Sequence, residues 1–242
     1  MPFVICQWLR QSVRFAWLKS FGMPSSTVEN YLKQIYLEQQ HAPEELVTMG
    51  RLAASMGVVP GTATSMIKTL SDSGLVDYSP RAGVRLTGGG EQLALHVLRR
   101  HRLLELFLVK VLGLDWSEVH AEAEELEHVI SEKVLERIDA LLGHPSVDPH
   151  GDPIPTARGH VEETPAGSLA EADPGRAVRV SRVIDQEPAF LQFVHRCGLS
   201  PGVQITLQRR DEIAQTVEVL ANAKTITLGT SVARKILVES AQ

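Results

Sequence analysis

Two histidines and two glutamates recur at helical spacing near the middle of the chain: His120, Glu124, Glu127 and His128. At about 100° per residue, a continuous helix would place these four side chains within one sector of about a third of a turn. The apolar residues that adjoin this sector on the same helical wheel are Val119, Ala123, Leu126, Ile130 and Val134. Two carboxylates and two imidazoles at the edge of a buried face are costly unless a cation neutralises them, so the segment predicts a metal site.

A second pair, His101 and Glu105, lies on the preceding predicted helix, again with four-residue spacing. Either pair alone is more typical of an ordinary solvated helix face, because Glu-rich helices are common. Together, on neighbouring helices, they match the way in which helical bundles build metal sites. Carboxylate and imidazole ligands without thiolate suit Mn²⁺ or Fe²⁺, and such a site would also accept Co²⁺, Ni²⁺ or Zn²⁺.

A short helix predicted near residues 60–73 carries polar side chains of the kind that reach base edges in the major groove of DNA. The candidate DNA contacts are Thr62, Thr64, Ser65, Lys68 and Thr69 on this helix and Arg81 and Arg85 in the segment that follows. Arg51, Arg99 and Arg100 add positive charge for contacts with phosphates. The helical pattern alone favours DNA binding only modestly over a structural three-helix core, and the β-hairpin predicted after the helix strengthens it.

The elements that must position these residues are mostly helices. Apolar periodicity predicts a helix from Thr27 to about His41, two short helices joined by Gly57–Pro60, a helix from Thr87 to about Val111, and one from about Asp115 to Leu142. Alternating β-branched runs in the last third predict a small all-β domain. The fold class is therefore mainly α with a small β-domain.

This pattern divides the chain into five predicted segments. They are an extension at 1–24, a winged helix-turn-helix at 25–94, a helical metal-binding and dimerisation domain at 95–145, a Pro/Gly-rich linker at 146–175, and a β-domain at 176–240. The long helices are the natural dimer contact, through Leu103, Leu104, Phe107, Leu108 and Val111, although packing within one chain would give the same pattern.

The composition narrows the classes of partner and compartment. A net charge of −5 is not typical of a dedicated polyanion binder, so any DNA contact must come from a local patch. The two cysteines, Cys6 and Cys197, suggest neither a disulfide framework nor a zinc ribbon. Residues 1–22 lack the long apolar core of a signal peptide or a spanning helix, and Met23 is an alternative start. We therefore expect a cytoplasmic protein.

These residues occur in a series of ordered motifs that resembles the diphtheria toxin repressor and manganese transport regulator family. The motifs are ENYLKQIY at 29–36, the helix-turn-helix RLAASMGVVPGTATSMIKTLSDSGLV, RRHRLLELFL at 99–108, GLDWSEVHAEAEELEHVIS at 113–131 and HPSVDPHGDPIP at 144–155. The resemblance implies a winged helix, a helical dimerisation domain and a tethered SH3-like β-barrel.

The resemblance also implies two metal sites. Its primary site falls on Asn30, Glu124, Glu127 and His128, and its ancillary site on His101, Glu105 and His120, with Glu187 as a weaker candidate. Position 124 is Glu in manganese-type members and Cys in iron-type members, so Glu124 favours Mn²⁺ over Fe²⁺. Asn30 and Lys33 depart from the manganese-type pattern, which has carboxylates at both positions.

The expected function is a metal-activated DNA-binding regulator. By resemblance it is a repressor of metal-uptake genes that acts as a homodimer on a palindromic operator, without a membrane or a small organic substrate as partner. In this hypothesis the metal joins Asn30 to the dimerisation domain and favours the domain orientation that fits the operator. Two alternatives are a winged-helix adaptor that senses no metal and, less favoured, a metallohydrolase, for which no recognised motif is present.

Overall fold

A computed structural model describes residues 25–162 and 165–241 of the chain. The extension predicted at residues 1–24 lies outside this part. The chain divides into two compact units, with the boundary between Val97 and Leu98.

The N-terminal unit begins with three helices and a hairpin. They are α1 (Ser26–His41), α2 (Met49–Ser55), α3 (Pro60–Asp72), β1 (Val76–Ser79) and β2 (Gly83–Leu86). The side chains of Ser25 and Thr48 cap α1 and α2 by accepting hydrogen bonds from backbone N–H groups, and Pro60 occupies the first turn of α3. Apolar side chains of all three helices are completely buried, among them Leu32, Leu52 and Ile67. The predicted winged helix-turn-helix is confirmed.

The hairpin is held against the loop before α2. Its strands pair antiparallel from Val76 opposite Leu86 to Ser79 opposite Gly83, and Val84 forms a further bridge with Val47. Gly83 has a φ of 148°, and a Cβ at this position would lie 2.7 Å from the carbonyl oxygen of Val47. The β1–β2 hairpin, which forms the wing of the winged helix, lies so close to Val47 that position 83 requires glycine.

Glu38 on α1 ties this helix to α2. Its carboxylate accepts hydrogen bonds from Arg51 and Ser55. Burial by itself raises the pKa of Glu38, but these hydrogen bonds outweigh burial and hold the pKa below its ordinary value of 4.5.

We expect Glu38→Gln to lower the free energy of unfolding by about 1 kcal/mol at neutral pH. A depressed pKa stabilises the fold above the unfolded-state value, so this contribution is lost as the pH falls through the folded-state pKa of Glu38. Urea unfolding of the full chain, followed by circular dichroism at neutral and acidic pH, measures the effect. The matched control is the exposed Glu44→Gln. An equal loss in both variants would contradict this role.

Three helices follow the hairpin: α4 (Gly88–Lys110), α5 (Val119–Leu126) and α6 (Glu132–Leu141). The prediction of one helix from Asp115 to Leu142 is wrong, because Ser131 caps a new helix by accepting a hydrogen bond from the backbone N–H of Val134. The break also changes the predicted apolar face. Val119 and Ala123 are buried, whereas Leu126 and Val134 are 39% and 50% exposed.

The apolar residues proposed as a dimer contact on α4 mostly serve the chain's own core. Leu103, Leu104 and Leu108 are buried against side chains of the same chain, including Val119, Leu135 and Ile138. Val111 alone among the five predicted residues is exposed. For Leu103, Leu104 and Leu108, packing within one chain is therefore the correct alternative.

The C-terminal β-domain is an antiparallel sheet with the predicted SH3-like architecture. Its strands are β3 (Gly167–Ser168), β4 (Ala177–Val183), β5 (Gln204–Asp211), β6 (Thr216–Ala221), β7 (Lys224–Gly229) and β8 (Ile236–Ser240), in the order β3-β8-β4-β5-β6-β7. Register shifts in β4 and β5 mark bulges, which bend strands.

The expectation of an all-β domain missed two helices. Residues Pro188–Arg196 form α7 and Thr230–Ala233 form the short α8. Pro188 stands in the first turn of α7, and Leu191 and Val194 are buried three residues apart against the sheet.

The segment predicted as a linker contributes to the interior. Asp148, His150, Ile154 and Leu169 are all buried, unlike the side chains of a solvated tether. The Pro and Gly residues that suggested low core-forming power shape a turn, in which Gly151 has a φ of 89° beneath the carbonyl oxygen of Ser181.

Candidate metal centre

Helix α4 presents His101 and Glu105 side by side in the interior of the C-terminal unit. His101 Nε2 lies 3.0 Å from Glu105 Oε1, and Glu105 is only 1% exposed. His120, near the start of α5, places its Nδ1 atom 3.1 Å from His101 Nε2 and 3.3 Å from Glu105 Oε1. The three residues predicted as the ancillary site are therefore brought together.

His101 also faces the residues predicted as the primary site. Its Nδ1 atom lies 2.7 Å from Glu127 Oε2 and 3.8 Å from Glu124 Oε1. Glu127 is completely buried, and His128 Nε2 lies 3.3 Å from Glu127 Oε1. The imidazole of His101 thus stands between the two predicted sites, which sequence reasoning had not indicated.

The end of α5 explains how Glu124, Glu127 and His128 reach this position. Glu124 lies within the helix, whereas Glu127 and His128 belong to the turn that follows Leu126. Glu127 still has helical dihedral angles and donates its N–H to the carbonyl oxygen of Ala123. The predicted clustering of these residues is therefore present although the helix does not continue.

A third group was missed by the sequence analysis. One ligand atom each from Glu105, Asp148 and His150 lies within 4.8 Å of the others, and all three residues are buried. His150 Nδ1 is 3.8 Å from Glu105 Oε2 and 4.0 Å from Asp148 Oδ1. An Asp and a His two residues apart in a predicted linker were the available signal. Their meeting with Glu105 is a long-range contact.

The charges in this third group strongly perturb one another. Burial raises the pKa of Asp148, and the carboxylates of Asp152 and Glu105 raise it further, to about 7. Burial by itself lowers the pKa of His150, but Glu105 and Asp148 outweigh burial and raise it to about 9. Buried carboxylates as close together as these would stabilise a cation bound between them.

The donor set fits a divalent transition metal. Within residues 25–162 and 165–241, the three groups of possible ligands contain imidazole nitrogens and carboxylate oxygens without a thiolate. His150 Nδ1 is buried and has no partner within hydrogen-bond distance. A buried polar atom of this kind is a suitable ligand for a bound cation. Both observations suit Mn²⁺ or Fe²⁺ as a bound ion.

Glu187, the weaker candidate ligand, is exposed at the start of α7. It lines a cavity of about 760 Å³ together with His120, Glu118, Asp185 and Lys235. Asp185 accepts a hydrogen bond from Lys235 Nζ at 2.6 Å. Among the described residues, Glu187 is not part of any of the three ligand groups.

Asn30, the remaining predicted ligand, lies on α1 in the N-terminal unit. Its Oδ1 atom is buried and has no hydrogen-bond partner. A buried amide oxygen of this kind is costly when left unsatisfied, and it is an acceptable ligand for a hard cation.

Most of the predicted DNA contacts lie on the solvent-exposed side of α3. Thr62, Ser65, Lys68 and Thr69 are exposed, whereas Thr64 is half-buried and donates its hydroxyl to the carbonyl oxygen of Pro60. In the wing, Arg81 is exposed at the turn. The half-buried Arg85 donates to the carbonyl oxygen of Pro43 at 2.8 Å.

The other three arginines considered for phosphate contacts have roles within the chain. Arg51 pairs with Glu38, Arg99 pairs with Asp139 at 2.9 Å, and Arg100 is only 7% exposed. Arg99 and Arg100 are therefore largely shielded from solvent, whereas the Arg51 side chain remains 43% exposed beside Glu38.

Known proteins resemble the chain along most of its length. Three family models match it: the iron dependent repressor N-terminal DNA binding domain at residues 23–84, the iron dependent repressor metal binding and dimerisation domain at 87–156, and the FeoA domain at 167–240. The iron-dependent repressor IdeR of Mycobacterium tuberculosis is 30% identical over 234 residues, which cover 88% of this chain and 96% of that protein.

Solved structures agree with these matches. A manganese-dependent transcriptional repressor in complex with manganese has a TM-score of 0.80 and 40% identity, covering 88% of this chain and 100% of that one. ScaR with bound Cd²⁺ has a TM-score of 0.74 and 32% identity, covering 90% and 100%. The resemblance predicted from the motifs is thus confirmed, and the chain belongs to the iron-dependent repressor family of metal-dependent transcriptional regulators.

Proposed function

We propose that the chain is a transcriptional repressor that binds operator DNA as a homodimer when Mn²⁺ occupies its metal centre. The observation that carries this proposal is the position of His101 between two buried carboxylates, Glu127 and Glu105. So much buried negative charge beside imidazoles is stabilised by a divalent cation. The exposed face of α3 supports the DNA-binding part.

The ligand set combines the family resemblance with the groups described above. Glu124, Glu127, His128 and Asn30 hold the primary ion, and His101, Glu105 and His120 hold the ancillary one, with Glu187 as an additional candidate. His101 is a candidate ligand for either ion, because its two nitrogens face different carboxylates. A bound ion would supply positive charge. The residues that would hold it would bind it more tightly in one conformation of the chain, so that binding would favour that conformation.

Mn²⁺ is the favoured ion and Fe²⁺ the second choice. The carboxylate of Glu124, where iron-type members have Cys, is a harder ligand than a thiolate and suits Mn²⁺. Solved relatives are described with manganese and with Cd²⁺, which supports a site that accepts several divalent ions in vitro.

The DNA contacts and the cellular setting follow from this role. Thr62, Ser65, Lys68 and Thr69 face base edges and phosphates, with Arg81 on the neighbouring backbone. Two copies place two such helices on a palindromic operator. The relatives are transcriptional regulators, so we assign no catalytic activity. Because a transcriptional regulator acts on DNA, we place the protein in the cytoplasm. No described helix is long and apolar enough to cross a membrane.

Operator binding by fluorescence anisotropy tests the proposal, using DNA upstream of the chain's own gene at fixed salt. We expect Mn²⁺ to tighten binding relative to chelator, with anaerobic Fe²⁺ and Zn²⁺ as comparisons. Asn30→Ala should weaken this metal-dependent tightening more than binding in chelator, because it removes a proposed ligand and changes no residue of α3.

Two outcomes would contradict the proposal. Equal binding with Mn²⁺ and with chelator would favour a metal-independent adaptor. Equal weakening of Asn30→Ala in both conditions would remove Asn30 from the ligand set. Gln40→Ala, at an exposed position near the end of α1, is the matched control and should behave as the wild type.

A further inference from the structure

Trp116 belongs to the segment between α4 and α5, yet it packs in the core of the β-domain. Its ring is only 8% exposed and joins the hydrophobic cluster that contains Leu191 and Val194 of α7. Trp116 stands within the motif at 113–131, but it is not one of the proposed metal ligands or DNA contacts.

The other face of the same ring meets a candidate metal ligand. Trp116 and His150 are stacked, with ring centroids 5.5 Å apart and planes inclined by 25°. The carbonyl oxygen of Trp116 lies 2.8 Å from His150 Nε2. Because a carbonyl oxygen only accepts, His150 donates its Nε2–H to Trp116.

This hydrogen bond decides which nitrogen of His150 is available. With Nε2 committed as a donor, Nδ1 is the atom directed at Glu105 and Asp148. Ligand histidines in metal sites are oriented in this way, by a hydrogen bond from the second ring nitrogen. Trp116 therefore sets both the plane of the imidazole, by stacking, and its tautomer, through the backbone.

The β-domain holds His150 from the opposite side as well. The backbone N–H of Val183, at the end of β4, donates to the carbonyl oxygen of His150 at 2.9 Å. Gly151 lies so close beneath the carbonyl of Ser181 that no side chain would fit. Any shift of the β-domain would therefore move His150 relative to Glu105.

We propose that Trp116 is a positioning residue that couples docking of the β-domain to metal binding by Glu105, Asp148 and His150. The inference rests on the proposed function, since it concerns how the same protein responds to its metal. A filled site orders His150, and His150 in turn orders Trp116 and the β-domain core around it.

The first test uses Trp116 as its own reporter. Trp8→Phe and Trp17→Phe leave Trp116 as the single tryptophan of the full chain, and Zn²⁺ alone is the probe because it has no redox chemistry. We expect a saturable change in Trp116 emission as Zn²⁺ binds, and its loss in His150→Gln. The matched control is the exposed Glu125→Gln, which should retain the change.

The second test separates positioning from simple packing. In competition with a chelating dye, Trp116→Leu should weaken binding of one metal equivalent by about 10-fold or more, as loss of an orienting group does. Trp116→Phe keeps an aromatic ring against His150 and should restore affinity. Phe193→Leu removes an aromatic ring from the same β-domain core and should bind Zn²⁺ as the wild type does.

Unchanged binding of every equivalent by Trp116→Leu, or unchanged Trp116 emission at full occupancy, would overturn the inference. Operator binding of the wild type, measured in parallel, distinguishes this result from failure of the proposed function. If Zn²⁺ changes Trp116 emission but does not tighten operator binding, the proposed function is contradicted and the coupling of Trp116 to the metal site is supported. Absence of any metal binding overturns both.

Discussion

Glu127→Gln is expected to abolish the metal-dependent tightening of operator binding. Glu127 is completely buried, and its two oxygens lie 2.7 Å from His101 Nδ1 and 3.3 Å from His128 Nε2. The substitution keeps the shape of the side chain and removes its negative charge. We expect Mn²⁺ affinity to fall by on the order of 100-fold or more, beyond the loss seen when an outer hydrogen-bonding partner of a ligand is removed.

The matched control for this variant is Glu125→Gln, two residues earlier in the last turn of α5. Glu125 is exposed and belongs to none of the ligand groups, so its variant should bind Mn²⁺ and DNA as the wild type does. Calorimetry gives the affinity for Mn²⁺, and anisotropy gives the response of DNA binding. If Glu127→Gln were activated at the same Mn²⁺ concentration as Glu125→Gln, the buried carboxylate would not be a ligand.

Val129→Asp is expected to convert the dimer to a monomer. Three apolar side chains are exposed at or beside the turn between α5 and α6: Leu126 (39%), Val129 (77%) and Val134 (50%). This turn lies in the region that matches the metal binding and dimerisation domain. Apolar side chains concentrated in this way mark association surfaces. An aspartate there would have to lose its hydration in the dimer, at a cost of several kcal/mol.

The loss of the dimer should be visible in two measurements. Light scattering coupled to size exclusion should report a monomer, and operator affinity should fall by on the order of 100-fold or more, because one winged unit contacts too few base pairs. Ile213→Asp is the matched control, since Ile213 is 98% exposed in the turn between β5 and β6. A dimeric Val129→Asp with full operator affinity would place the interface elsewhere.

Local rules explain why much of the N-terminal unit was predictable. Apolar periodicity predicted its helices, and the caps at Ser25 and Thr48 and the proline at Pro60, which begin these helices in the structure, also depend on a few neighbouring residues. The class of metal was also predictable from the sequence. Imidazole and carboxylate side chains such as His101 and Glu124 favour the same ions wherever the fold places them.

Local rules failed where two competing signals overlapped. The Glu-rich segment from Asp115 to Leu142 has continuous apolar periodicity, which predicted a single helix. In the structure Ser131 caps a second helix, so the segment forms two helices. Periodicity reports which side chains can share a face, and a cap decides whether the helix continues. In the β-domain, α7 was hidden because a helix as short as Pro188–Arg196 carries too few periodic residues to stand out.

By itself, the sequence determined the fold class, and it predicted DNA contacts on α3 and a metal site built from His and Glu residues. Only the tertiary structure decided that His101 is shared by two ligand groups, that Asp148 and His150 join Glu105, and that Trp116 reaches the β-domain core. The physical reason is the range of the interactions. Periodicity and capping act within a few turns of a helix, whereas the meeting of Glu105 with His150 depends on how whole elements pack around a common core.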